Sequence, residues 1–177
     1  MVKDFEKKQS HILQLDVLAQ RPQSMRIEVT TPLGFHIARL ALNEKTLTYI
    51  LTRQREFYRG DAHPDSLKPI LSVAVDPRWI VNLLFDMPPQ GGGWDCDTRE
   101  GLISGCKNSN LGISLNWLDR RKDSRKIQII TRAGEIQMDL KNYQEPGNLD
   151  PSVFELKKPP TFSGINLQKA RAQSLQR

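Results

Sequence analysis

The chain lacks most of what a chemical centre is built from. Its three histidines, His11, His36 and His63, are dispersed, with no HxxxH spacing and no Cys–His pairing. No serine sits in a nucleophile-elbow pattern, and the carboxylates scatter over turns. An enzyme is therefore not expected, although side chains distant in sequence can meet in a fold. There are two cysteines. Without a neighbouring His or Cys they cannot form a zinc site, so no metal is expected. The run Gly91-Gly92-Gly93 is not a phosphate loop, because no Lys-Ser/Thr follows it, and no cofactor is expected. No apolar run approaches the length of a transmembrane helix. Aromatic residues make up 7% of the chain and do not interleave with its basic clusters. Nucleic acid, which needs stacking platforms beside cations, is therefore not an expected partner. The first residues, MVKDFEKKQS, show neither the apolar stretch of an export signal nor a lipobox-like cysteine.

What is present is a strand-rich pattern in 177 residues, enough for one domain with a sizeable core. Apolar residues account for 38% and charged residues for 26%, the balance of a globular chain. The net charge of +6 favours anionic partners. Basic residues gather at turns: Arg53 and Arg55, Arg120 to Lys122, Arg125 and Lys126, Lys157 and Lys158. Solvated hairpin ends explain them, and so does attraction to an anionic membrane surface.

Alternating apolar residues predict strands at His11–Ala19, Met25–Val29, Phe35–Leu42, Leu47–Leu51 and Glu56–Arg59. Polar turns at regular spacing make these an antiparallel meander. Residues 60–89 break the pattern, with a short helical turn expected at Asp65–Leu71. Asp76 is a good N-cap and Pro77 suits a first helical position. Trp79, Ile80, Leu83 and Leu84 then form one helical stripe. Further strands are predicted at Trp94–Thr98, Leu102–Lys107, Leu111–Trp117, Arg125–Thr131 and Ile136–Leu140, with a short last one at Val153–Leu156. Residues 1–8 read as a charged, frayed segment or the remnant of a strand. Residues 163–177 read as a polar, basic tail or an exposed helix. A turn near Arg99-Glu100-Gly101 would set Cys96 and Cys106 on adjacent antiparallel strands, where a disulfide fits. A reduced, buried pair is the other reading. A disulfide would imply an oxidising compartment, against which the missing export signal stands.

Ser24–Leu42, SMRIEVTTPLGFHIARLAL, carries an apolar residue at a hairpin tip. Tips usually carry Asn, Asp, Gly or Ser. Pro32 and Gly34 would turn the chain in a type II-like bend with Gly34 near the third position. Leu33 either folds back as core or stands out as a hydrophobic finger. Thr31-Pro32-Leu33-Gly34 between two strands resembles the hairpin of the LolB family, the outer-membrane lipoprotein receptors of Gram-negative bacteria. A third and fourth strand and then a helical insertion with a Leu-rich second half follow in the same order. The resemblance runs from about Gln9 to Phe162, the expected domain 9–162. It implies an α+β fold, mainly β: a single antiparallel curved sheet of some ten strands, open as a half-barrel around an apolar cavity that helices cover. It implies that the cavity takes acyl chains of lipoproteins and delivers them to the outer membrane, with Pro32, Leu33 and Gly34 as the membrane-directed loop. The implied partners are acylated lipoproteins, a periplasmic LolA-like carrier and the inner leaflet of the outer membrane, with the protein a monomer at its periplasmic face. Family members carry a signal peptide, a lipidated cysteine and an N-terminal helix before their first strands, features not visible here. Amphipathic pattern alone suggests Phe35, Ile37, Tyr49, Trp79, Leu83 and Trp117 as cavity residues. A carrier of another lipid or glycolipid, or a non-transporting structural or interaction protein of the cell envelope, are the alternatives.

Overall fold

Most of the alternating runs become strands. In the computed structural model, which describes residues 1–71, 73–142 and 147–168, the first three strands are β1 (Val2–Asp4), β2 (Gln9–His11) and β3 (Gln14–Gln20). A meander follows: β4 (Ser24–Thr30), β5 (His36–Asn43), β6 (Thr46–Leu51) and β7 (Glu56–Asp61). Two short helices interrupt it, α1 (Lys68–Leu71) and α2 (Pro77–Leu84). The second meander comprises β8 (Asp95–Arg99), β9 (Leu102–Asn108), β10 (Ile113–Arg120), β11 (Ser124–Ile130) and β12 (Gly134–Lys141). Last comes β13 (Ser163–Asn166). No helix among the described residues is long and apolar enough to cross a membrane.

The strands form two hydrogen-bonded sheets, not the single one expected. One runs β2-β1-β12-β11-β10-β9-β8, the other β13-β7-β6-β5-β4-β3. The chain crosses between them at Ile12–Leu13. β1 pairs with Gly134–Ile136 of the eight-residue β12. Among the described residues no strand bridges the rest of β12 to β3. Every strand pair is antiparallel except β13 with β7, which is parallel.

Several boundaries differ from expectation. His11–Ala19 is two strands, broken where the adjacent Ile12 and Leu13 change the alternation. Residues 1–8 supply β1, held between β12 and β2. The domain therefore begins before residue 9, and with β13 it also extends past Phe162. The expected strand at Val153–Leu156 is instead a turn of 3-10 helix at Pro151–Phe154, because Asp150 accepts from the Ser152 amide and Pro151 suits a first helical position. Pro159 and Pro160 lack amide donors, and pairing resumes only at Ser163. The part of the C-terminal tail from residue 169 onward lies outside the described residues, as does 143–146 of the Pro/Gly loop.

Helix α2 starts as its sequence predicts, with the Asp76 carboxylate accepting from the Arg78 amide at 2.9 Å. It is more than an amphipathic cover, since Val81 and Asn82 are buried along with Trp79, Ile80, Leu83 and Leu84. It ends in a Schellman-like cap: Asp86 adopts φ +54° and the Met87 amide donates to the Asn82 carbonyl. One continuous core joins α2 to both sheets, through Met25, Leu42 and Leu47 on one side and Leu115, Ile127 and Ile129 on the other.

Candidate functional site

The cysteine hairpin forms as its spacing suggests. Cys96 pairs directly with Cys106 across β8 and β9, and the two are joined in a disulfide. Glu100 and Gly101 both adopt positive φ in the two-residue loop between Arg99 and Leu102. That is the type I′ geometry that matches the twist of paired strands.

The β4–β5 tip is a three-residue loop. The Gly34 amide donates to the Thr31 carbonyl and the Thr31 amide to the Phe35 carbonyl, both at 2.9 Å. The Thr31 hydroxyl also accepts from the Phe35 amide at 3.1 Å. Gly34 therefore follows the turn rather than occupying its third place, at φ +84°. This is a type I-like turn completed by a left-handed residue, and it differs from the expected type II-like bend because Leu33 keeps a negative φ. Leu33 is 83% exposed and Phe35 68%, so neither is core. The hydrogen bonds hold an apolar tip outward.

That tip has apolar and basic neighbours. Ile12, 72% exposed, lies two residues before Gln14, which pairs with Thr30. It therefore stands beside the turn. The Thr52 amide donates to the Ile37 carbonyl, which sets the exposed Arg53 and Arg55 at the same end of the sheet. Lys158 joins them, donating to the Phe162 carbonyl beside β13.

None of the six expected cavity residues lines the largest-volume cleft of the described residues. Tyr49, Trp79, Leu83 and Trp117 are buried in the core, which their alternation signals equally well. The Trp117 indole N–H donates to the Leu83 carbonyl at 2.9 Å and pins α2 to β10. Trp79 meets Trp94 edge-on, and Tyr49 stacks on Tyr58 at 4.4 Å. The Tyr49 hydroxyl is buried without a hydrogen-bond partner among the described residues, and burial pushes its pKa up. Ile37 is half-buried against the core, and Phe35 is at the tip.

Open space lies elsewhere, between β3 and the far half of β12. This cleft has a volume of about 1300 Å³. Leu13, just before β3, and Leu15 and Val17 within it line the cleft together with Met138 and Leu140 of β12, and Leu84 and Phe85 close its inner end. Arg26, Glu28, Asp16 and Asp139 give it a polar outer side. Arg26 is committed, donating to Glu28 at 2.8 Å and to the Val153 carbonyl. Met1 stands at the margin, where its ammonium donates to the Gln137 carbonyl at 2.8 Å. Burial lowers that ammonium's pKa, against the pull of Glu135. Sequence reasoning missed this cleft. Its one signal was the paired Ile12-Leu13, which marks where the chain leaves one sheet for the other. Among the described residues no group of His, Cys, Asp or Glu is arranged to hold a metal. A scan against protein-family models and a search of curated proteins each return no match for this chain.

Proposed function

We propose that this is a LolB-like protein of an oxidising cell-envelope compartment, which docks on a membrane through the Leu33 hairpin and accepts the acyl chain of a lipidated protein in the β3–β12 cleft. The observation that carries the reading is a shared end. Ile12 lines the cleft and stands beside a turn that holds Leu33 in solvent. An acyl chain leaving the cleft there would meet the membrane to which the finger is anchored. Each CH₂ moved from water into apolar surroundings gains ~0.8 kcal/mol, so transfer proceeds only between apolar environments, with no covalent step. Arg53, Arg55 and Lys158 flank the tip and favour an anionic surface, each worth ~1 kcal/mol when close. The disulfide supports an oxidising compartment, as at the periplasmic face of an outer membrane.

The packed interior favours a second reading. Tyr49 and Leu83 are wholly buried, as expected of an envelope interaction protein that carries no lipid. One experiment separates the two. A triacylated lipoprotein on a soluble carrier is mixed with this protein and with phosphatidylethanolamine–phosphatidylglycerol vesicles, which are then floated. Cargo should float with the wild-type protein. With Leu33→Glu delivery should fall at least about tenfold, the equivalent of one leucine's burial, while the fold persists. No delivery by either protein favours the interaction reading, and equal delivery discards the finger.

A further inference from the structure

A second, smaller pocket of about 240 Å³ forms where the β3–β4 turn, the first turns of α2 and the loop after α2 meet. It shares no lining residue with the β3–β12 cleft. Three carboxamides converge on it: Gln23 from the turn, Asn82 from the helix and Gln90 from the loop. Asn82 is 2% exposed. Its Nδ2 donates to the Pro88 carbonyl at 3.3 Å and its backbone carbonyl accepts from the Met87 amide at 2.9 Å. Both bonds tie the loop that carries Gln90 to the helix. The Asn82 Oδ1 accepts no hydrogen bond among the described residues, although buried acceptors normally find a partner. Asn108, equally buried, fixes the loop further on by donating to the Gly92 carbonyl at 3.3 Å. Gly91 turns between these anchors at φ +102° and puts no side chain into the pocket. Asp76 and Arg78 bring charge to the lining and cancel it. The Arg78 Nε donates to the Asp76 carboxylate at 2.8 Å and its Nη2 at 2.5 Å. The helix end itself is already taken, because the Arg78 amide donates to the same carboxylate. Trp79, edge-on to Trp94, is the apolar wall.

We propose that this pocket binds one neutral sugar ring. The lining has no net charge, so an anion would meet the Asp76 carboxylate and a cation the Arg78 guanidinium. A guanidinium has five N–H donors, and Asp76 takes only two of those on Arg78. The rest point to acceptors outside the pair. The carboxamides of Gln23, Asn82 and Gln90 add acceptors as well as donors. A hydroxyl both donates and accepts, so adjacent ring hydroxyls satisfy such a mixture. A hydrocarbon would instead bury the same groups unpaired. Trp79 offers apolar surface to the ring's C–H groups. The volume falls below the roughly 300–1,000 Å³ of pockets that enclose drug-sized ligands, so the occupant is one ring and not a chain buried along its length. Both ends of the loop are held before any ligand arrives, which lowers the ordering cost of binding. The site stands apart from the acyl reading: it uses other residues, and neither depends on the other.

Proton–nitrogen correlation spectra of the full chain test the site. The probes are the methyl glycosides of glucose, galactose, mannose and N-acetylglucosamine, each taken to about 50 mM, enough to fill a site of millimolar affinity. At least one should shift the Trp79 indole N–H and the Asn82 side-chain amide along a saturable curve. The Trp117 indole, bonded to the Leu83 carbonyl, should not move. Shifts that do not saturate with any of the four, or that reach Trp117 equally, overturn the proposal. Gln23→Ala combined with Gln90→Ala removes two side chains that make no hydrogen bond among the described residues. The fold should persist and the affinity should fall about tenfold. Unchanged affinity overturns the site. If that variant does not fold, the four glycosides on the wild-type protein still decide. Inorganic phosphate is the competing probe. Saturable shifts at the Arg78 side chain with phosphate, and none with the glycosides, would assign the pocket to an anion and overturn the neutral ligand.

Discussion

Replacing Trp117 by phenylalanine tests how firmly the interior is plugged. Trp117 is 6% exposed, and its indole N–H donates to the Leu83 carbonyl in the last turn of α2. Carbonyls there have no partner within the helix. Phenylalanine keeps an aromatic ring on β10 but removes the donor, so a buried carbonyl loses its hydrogen bond at a cost of about 1–3 kcal/mol. The smaller ring leaves a void that the surrounding core fills only in part, which adds about 1 kcal/mol. The Arg120 guanidinium, 5.2 Å from the Trp117 ring centroid, also loses the better of its possible aromatic partners. The sum is about 2–4 kcal/mol, a large part of the stability of a domain this size. Urea unfolding followed by circular dichroism should show a lower midpoint with an unchanged slope. A loss below about 0.5 kcal/mol would mean that α2 is not pinned through this bond, and the account of a filled interior would fail with it.

Gly134→Ala would place a Cβ 2.3 Å from the Lys3 carbonyl oxygen and 2.7 Å from Val73 Cγ2. It should cost about 2 kcal/mol or more and loosen β1, seen as faster exchange of the Lys3 amide. Tyr49→Phe removes a buried hydroxyl that has no hydrogen-bond partner among the described residues. Its melting temperature should be unchanged or higher, and a marked drop would reveal a partner for that oxygen. Glu135 accepts from Gln128 at 2.8 Å and from Lys3 at 3.0 Å. The Gln128 bond first, then Lys3, holds its pKa below the ordinary 4.5. The folded pKa is the lower one, so this stabilisation is complete above the unfolded value and is lost as pH falls through the folded value. Between about pH 5 and about pH 3, Glu135→Gln should lose less stability than the wild type, as measured by urea midpoints. Parallel losses would remove Glu135 from the account.

Strand existence was legible because alternation against a core is a local signal. Asp76-Pro77 announced α2 through capping chemistry, and the Arg99–Leu102 turn placed the cysteines opposite each other. What alternation could not show was whether an inward face meets a cavity or a packed neighbour. Tyr49, Trp79, Leu83 and Trp117 face inward in both cases, and α2 fills the space they were expected to line. β13 was hidden because Ser163-Gly164-Ile165-Asn166 has no pattern of its own and is recruited by the backbone of β7. The cleft was hidden for a different reason. It lies between β3 and the part of β12 beyond its pairing with β1. These strands are far apart in sequence, and their register is set only in the folded sheet. The finger was half legible: the turn chemistry was visible, but the outward direction of Leu33 depends on the Thr31 bonds.

The packed interior limits where a ligand can go. For an acyl chain to enter between the sheets, α2 would have to leave. That would expose Trp79, Ile80 and Leu83, all buried. Side chains of this size gain about 1.5–3 kcal/mol each on burial, so displacing three costs roughly 5–9 kcal/mol. That is comparable with the whole stability of a typical domain, about 5–15 kcal/mol. Saturated hydrocarbon in their place would recover part of this, but the Trp117–Leu83 bond would also be broken. The β3–β12 cleft requires no such exchange. Leu13, Leu15 and Leu140 are only partly covered there, so a ligand gains their burial without first undoing any other contact. An acyl chain, if it binds as proposed, would therefore enter the cleft rather than the core. A variant that blocks the cleft should abolish binding, while one that loosens α2 should lower stability first.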